Sequence, residues 1–331
     1  MHRLEDAEAL ARLRSDPSTA QWQSWVTPYS VERAQQAIAD LIEADQPMPG
    51  KWWGVAIADP ATDAYSGHIV FCVAEHGHTA EIGYGLSVER RGRGVAIKAA
   101  QIVVDALFAR PEIQRIEASL HPDNTASAML LERLGMQYEG TSRSSYWVGD
   151  VNSDDPHYAM LRSDYEAWRN RPSAPPIDVR LVEITEANLK KVWALKTHQS
   201  QVRFVAPNAH SLAEALMPPL ENGEPQKPWF RAVEADGVLV GFVMLADVIE
   251  SSPVPYLWRL MVDRMHQRRG IAHRMLDLLV ADRKAKGDTH LMVSFIPGLG
   301  SPMPMYLKYG FVLTGKIDED GEIEAVLDLA G

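Results

Sequence analysis

The segment "HQRRGIAHRM", residues 266–275, sets two arginines and Gly270 directly ahead of an amphipathic stretch. A near copy, "ERRGRGVAIK", stands at 89–98. "YLWRLMVD" (256–263) and "AEIGYGLSV" (80–88) precede the two copies and read as strands. Helical spacing follows, over 271–285 in one case and from about Val95 to Phe108 in the other. Strand, glycine turn, helix is an order that leaves backbone N–H groups unpaired at a helix N-terminus. Such groups bind phosphate, helped by the helix dipole. Gly94 and Gly270 allow close backbone approach to a pyrophosphate. No G-x-x-x-x-G-K-[ST] loop occurs, nor a G-x-G-x-x-G turn with its acidic partner. A single copy would read as a surface turn with solvated arginines; two copies with matching surroundings favour a functional reading.

The surroundings do match. Gly94 to Gly135 is 41 residues and Gly270 to Gly310 is 40. "LGMQYEG" (134–140) parallels "YGFVLTG" (309–315). A period near 176 is too long for a solenoid and indicates two copies of one domain. The proline-rich "RNRPSAPPID" (169–178) divides them, so the expected organisation is a domain over 1–168, a linker over 169–177 and a domain over 178–331. In the first half, "WWGVAIAD" (52–59), "SGHIVFCVAE" (66–75) and "IQRIEASLH" (113–121) are further strands. Asn124 to Leu134 is a short helix, and Ile97, Ile102, Val103, Ala106 and Leu107 are expected on the buried face of the longer one. The second half has "FRAVEA", "VLVGFVMLADV", "HLMVSFI" and "GEIEAVLDL" (321–329) as strands, with a helix closing at Gly287. The fold class is therefore α/β (α+β), each half a mixed sheet flanked by helices.

The chain has 331 residues, enough for two cores, and a net charge of −11. Both halves are acidic, −8 before residue 177 and −3 after it, which argues against a nucleic-acid partner and mildly favours cationic substrates. No apolar run is long enough for a membrane span, and "MHRLEDAEAL" lacks a signal-peptide core. The lone Cys72 fits a reducing compartment, so a cytoplasmic protein is expected. "EHGH" (75–78) reads as an exposed hairpin turn with no further ligand at metal spacing, and no metal is expected. Trp22, Trp25, Trp52 and Trp53 are either core anchors or acceptor-pocket walls.

R-x-x-G-x-A at Arg91–Ala96 and Q-x-x-G-x-A at Gln267–Ala272 resemble the acetyl-CoA pyrophosphate loop of the GCN5-related N-acetyltransferases. "YLKYGF" (306–311) is similar to that family's Y-x-x-x-G-F segment. The resemblance implies a mostly antiparallel sheet whose fourth and fifth strands splay to admit the pantetheine arm. It also implies cofactor contacts from Arg91, Gly92, Arg93, Gly94, Val95 and Ala96, with Leu86 and Asn124, in the first half. In the second it implies Gln267, Arg268, Arg269, Gly270, Ile271 and Ala272, with Leu260 and Val262. A backbone N–H near Leu260 to Val262 would stabilise the oxyanion.

The second half resembles the diamine and spermidine acetyltransferase subgroup through "QVRFVAPNAHSLAEAL" (201–216) and "TGKIDEDGEIEAVLDL" (314–329). The first of these segments is expected in the loop between two opening helices. Tyr306 would protonate the departing thiolate, a task suited to a phenol that is neutral at physiological pH. Asp263, Asp247 and Glu250 are candidate bases by strand-end position. Glu214, Glu250 and Asp318–Asp320 are candidate contacts for a polyamine. The Asn frequent in the family after strand five is absent; "PGLGSPMPMY" (297–306) stands there.

The first half resembles the RimJ/RimL-like branch through "AEIGYGLSVERRGRGVA", "HPDNTASAMLLERLGM" and "DPHYAMLRSDYEAW". Leu131 occupies the place of the tyrosine. Ser127 is that branch's acid candidate, and equally a plain helix-start residue; Glu81 is the base candidate. The branch's opening strand is nearly missing ahead of the first helix.

The reading is an N-acetyltransferase that moves acetyl from acetyl-CoA to a small primary amine by direct attack, as a monomer or homodimer. The alternatives are an acetyltransferase for protein N-termini or aminoglycosides, and a CoA-binding sensor without turnover.

Overall fold

A computed structural model describes residues 2–42, 46–148 and 150–330. The chain divides into two compact units, Met1–Arg169 and Asn170–Gly331.

The first unit opens with helices α1 (Ala7–Ser15), α2 (Pro17–Ala20) and α3 (Val31–Ile42). Strands β1 (Trp52–Ala58), β2 (Tyr65–Val73) and β3 (Thr79–Leu86) follow. Then come α4 (Val95–Phe108), β4 (Arg115–Ser119), α5 (Thr125–Leu134), β5 (Gln137–Val148), β6 (Val151–Leu161) and α6 (Arg162–Arg169). The sheet order is β1-β2-β3-β4-β6-β5, with β3 and β4 parallel and the other neighbours antiparallel. Alternate β3 residues Ala80, Ile82 and Tyr84 face the core under α4 and α5, as a pleated strand requires. Among the described residues no strand precedes β1 in this sheet.

The buried face of α4 is Ala100, Val103, Val104, Leu107 and Phe108. Of the expected face, Val103 and Leu107 are buried and Ile97 packs against the core, whereas Ile102 is 69% exposed and Ala106 is also exposed. An α4 that is apolar over most of its circumference carries two overlapping stripes, and the sheet selects one. Gly135 ends α5 at φ 103°, where a Cβ would lie 2.4 Å from the Trp168 ring. Both the left-handed backbone and the close approach of α6 call for glycine there.

The second unit begins with β7 (Val179–Val182), α7 (Glu186–Ala194) and α8 (Asn208–Leu216). A short ribbon of β8 (Leu220–Glu221) and β9 (Glu224–Pro225) precedes β10 (Lys227–Ala235), β11 (Val238–Asp247) and β12 (Tyr256–Val262). Then come α9 (Ile271–Ala285), β13 (His290–Phe295), α10 (Met303–Tyr309), β14 (Val312–Ile317) and β15 (Ile323–Asp328). The order is β14-β15-β13-β12-β11-β10-β7, with only β12 and β13 parallel. Residues 208–216, read as part of a loop, form α8, which packs Leu212 and Ala215 toward the Phe242–Met244 face of the sheet. On the other face α9 buries Met275, Leu276 and Leu279; each such side chain contributes about 2 kcal/mol. Arg283 on the same helix is fully buried and meets Asp247 at 2.6 Å and Asp288 at 3.6 Å.

The end of the proline-rich stretch is tied into this unit. Arg269 donates to the Ala174 carbonyl, and Arg274 to those of Pro176 and Ile177. No helix of the described residues is long and apolar enough to cross a membrane.

Candidate active site

In each unit the two parallel strands pair only at their start. β3 and β4 are in register from Thr79/Arg115 to Glu81/Glu117, and β12 and β13 only at Tyr256/Met292. Beyond these points the strands part, as expected for the splayed pair. The glycine loop follows the free end of β3 in one unit and of β12 in the other.

The two loops share a backbone conformation. Gly92 and Gly94 have φ of 70° and 75°; Arg268 and Gly270 have 63° and 78°. Alternating left- and right-handed residues turn successive N–H groups toward one point, a nest for an anion. Gly94 and Gly270 are the N-caps of α4 and α9 and bring no capping side chain, so the first-turn N–H groups stay available. A Cβ on Gly270 would meet nothing within 4 Å, so the loop is open on the side where a phosphate would lie. These features fit a pyrophosphate.

The loop side chains are also bonded within the protein. Arg91 Nε donates to the Leu86 carbonyl at 3.2 Å, and Gln267 Nε2 to the Val262 carbonyl at 3.0 Å. Each fastens its loop to the last residue of the preceding strand. Arg91 also binds Ser18 and Thr19, and Gln267 binds Gln201. Arg269 is 7% exposed and is engaged by Ala174, His266 and, at 3.8 Å, Asp236. Arg93 and Arg268 remain exposed. The loop thus uses Arg91, Gln267 and Arg269 to hold its own shape and leaves its backbone N–H groups as the donors an anion could meet.

In the second unit the loop opens into a cleft of about 510 Å³ between β12 and β13. Gln267, Arg268, Gly270, Ile271 and Ala272 line it, with Leu260, Val262 and Tyr306. β12 has an irregular register between Arg259 and Leu257, which leaves Trp258 as an extra residue without a partner on β11. A bulged residue has no ladder partner for its N–H. β3 shows no such shift against β2. Tyr306 is 5% exposed, stacks on Phe295 at 5.8 Å and meets Phe311 edge-on at 5.4 Å. Burial first, and Tyr256 second, push its hydroxyl above the usual phenol range, so it stays protonated at neutral pH.

The family model "Acetyltransferase (GNAT) domain" matches residues 1–137, and "Acetyltransferase (GNAT) family" matches residues 193–311. The chain belongs to the GNAT acetyltransferase family. It is an N-acetyltransferase with acetyl-CoA as donor, built from two GNAT domains in tandem. The chain is 33% identical over 163 residues to N-acetyltransferase p20 of Bacillus licheniformis, covering 49% of this chain and 90% of that one. It is 29% identical over 159 residues to N-acetyltransferase YoaA of Bacillus subtilis, covering 48% and 89%. A crystal structure of a GNAT-family acetyltransferase from Bacillus anthracis aligns at 25% identity and a TM-score of 0.44, over 49% of this chain and 92% of that one.

In the first GNAT domain, Asn124 Oδ1 accepts from the Ser127 N–H at 3.1 Å, so Asn124 is the N-cap of α5. The Ser127 hydroxyl is 2.7 Å from that of Tyr84, whose own phenol is raised by burial and opposed by this bond. Leu131 is 1% exposed and packs in the core. Glu81 lies at the point where β3 and β4 part; desolvation, then Glu117 and Asp155, raise its carboxyl.

The carboxylates singled out in the second domain are engaged. Asp247 is paired with Arg283. Asp263 accepts from the N–H groups of Met265 and Lys196. Glu214 is paired with Arg259 at 3.0 Å and His210 at 3.1 Å. Glu250 is exposed in the turn after β11. "EHGH" forms the β2–β3 turn, with His76 and His78 stacked, and no metal-holding group occurs among the described residues. Trp25 donates to the Arg14 carbonyl, Trp53 packs on Phe71, and Trp52 is 45% exposed. Tyr84, Tyr256, Ser294 and Glu322 were not singled out from sequence; Tyr84 and Glu322 lie inside segments read only as carriers of resemblance, and the strand splay brings the four to the sites.

Proposed function

We propose that the second domain is the working acetyltransferase site and that its acceptor is a small, polyamine-like primary amine. The observation that carries this is the run of one cleft from the unpaired N–H groups at 268–272 past the bulge at Trp258 to the Tyr306 hydroxyl. The loop N–H groups hold the pyrophosphate, an N–H at the bulge faces the acetyl oxygen, and Tyr306 returns a proton to the departing sulfur. The net negative charge of the chain favours a cationic acceptor. The first domain keeps the loop conformation but has Leu131 in place of the acid, which favours CoA binding or a scaffold role there.

The test is calorimetric titration with acetyl-CoA on wild type, Gly94→Glu and Gly270→Glu, with thiol release over an amine panel for wild type and Tyr306→Phe. Binding lost in Gly270→Glu, and release lost in Tyr306→Phe, are expected. Release unchanged in Tyr306→Phe would remove the acid assignment, and binding unaffected by Gly270→Glu would remove the site.

A further inference from the structure

The amine that attacks acetyl-CoA must first lose a proton, and the strand-end carboxylates of the second domain are all occupied or remote. A different carboxylate is joined to the cleft through a serine that lines it. Glu322, half-buried just before β15, accepts a hydrogen bond from the Ser294 hydroxyl. Ser294 is also hydrogen-bonded with the Tyr256 hydroxyl. Tyr256 stands at the single β12–β13 pairing, opposite Met292. Ser294 lies two residues further along β13, where the strands have parted, and lines the cleft with Tyr306.

The polarity of this chain follows from counting protons. Ser294 has one hydroxyl proton, and the carboxylate can only accept, so that proton points to Glu322. Tyr256 must then donate to Ser294. The serine oxygen keeps one lone pair, open toward the cleft. A hydroxyl held this way receives an N–H and passes its own proton outward.

We propose that Ser294 takes the ammonium proton of the acceptor while its own hydroxyl proton passes to Glu322 and on to solvent. Ser294 is the group that meets the amine; Glu322 is a positioning residue acting through it. The proton count closes. The ammonium nitrogen gives one proton to this relay and a second as the C–N bond forms and the C–S bond breaks. The thiolate gains one proton from Tyr306, Tyr306 is restored by the second proton, and one proton in all reaches solvent. Charged and titratable groups face the relay from each side. They are Tyr256 and Arg259 on β12, Tyr306 on α10, and Asp318 with the Lys316–Glu324 pair in the β14–β15 hairpin. Lys316 is directed to Glu324 at 3.5 Å, and Asp318 to the Glu322 N–H at 2.9 Å, so the Glu322 carboxylate is left to Ser294.

The proposal rests on the second domain being the active site, and the experiment separates the two. Steady-state rates are measured with acetyl-CoA and two amines: ethylamine, an ammonium at neutral pH, and 2,2,2-trifluoroethylamine, already neutral there. Glu322→Gln and Ser294→Ala are expected to lower kcat/KM for ethylamine by about a hundredfold and for trifluoroethylamine by a few-fold at most. Glu322→Asp is expected to recover part of the loss. The rise of rate with pH should move upward in Glu322→Gln for ethylamine alone, and calorimetric affinity for acetyl-CoA should be unchanged. Equal losses with both amines would make the chain merely structural and overturn the proposal, as would no loss with either. If wild type binds acetyl-CoA but turns over neither amine, the active-site reading falls first and the relay with it.

Discussion

The hydroxyls of Tyr84 and Ser127 lie 2.7 Å apart and join β3 to the first turn of α5, across the opening between β3 and β4. Tyr84 also donates to the Ser127 carbonyl, at 3.2 Å. Tyr84→Phe removes both bonds and is expected to cost the first domain about 1 kcal/mol. Ser127→Ala leaves Tyr84 its carbonyl partner and is expected to cost less. Denaturant unfolding of the two variants checks the order.

The loop glycines isolate backbone strain from packing. A Cβ on Gly92 or Gly270 meets nothing within 4 Å, yet φ is 70° and 78°. Gly92→Ala and Gly270→Ala are each expected to cost about 1 kcal/mol, from the left-handed conformation alone. Arg268 already bears that strain, so Arg268→Gly is expected to be neutral or stabilising. Midpoints of thermal unfolding measure all three.

Arg283 has no exposed surface and serves Asp247, Asp282 and Asp288 while stacking on Trp229 at 5.5 Å. Truncation leaves Asp247 and Asp288, both only partly exposed, without their cation. Arg283→Ala is expected to destabilise the second domain by about 3–5 kcal/mol, or to leave it unfolded. Urea unfolding, with acetyl-CoA affinity as a check on the loop, gives the value.

His2 and His68 are buried beside Tyr65. Burial holds His2 down to about 4, against a partial upward pull from Asp6, and burial with Arg14 holds His68 down to about 3. The unfolded chain therefore binds protons first. The first domain should be most stable above about pH 6.5 and lose stability as pH falls toward 4. Urea midpoints measured between about pH 7 and pH 4.5 should decline, and His2→Gln should flatten the decline. A flat profile in wild type would show that the two rings are not held neutral.

The tandem organisation and the two strand–glycine turn–helix units were legible in the chain because they depend on local order. Strand, glycine turn and helix follow one another within 30 residues, 79–108 and 256–285, and the bounds of α9 fell where periodicity set them. The inner face of α4 was legible only in part: Val103 and Leu107 face inward as expected but Ile102 and Ala106 do not, since an apolar helix offers two stripes and only the sheet chooses. The duty of the loop side chains was not legible. Arg91, Gln267 and Arg269 look like phosphate ligands by type, but carbonyls at Leu86, Val262 and Ala174 claim them. The carboxylates near the reaction sorted the same way. Asp247, Asp263 and Glu214 stand at suggestive places in sequence, yet Arg283, a helix start and Arg259 take them. Glu322 stands in a plain acidic turn and becomes available to the cleft through Ser294, 28 residues away. Short-range order by itself determined the loops and their helices. Which polar groups are left over for chemistry was decided by tertiary structure, because a hydrogen-bonding group is free only when no distant partner has claimed it.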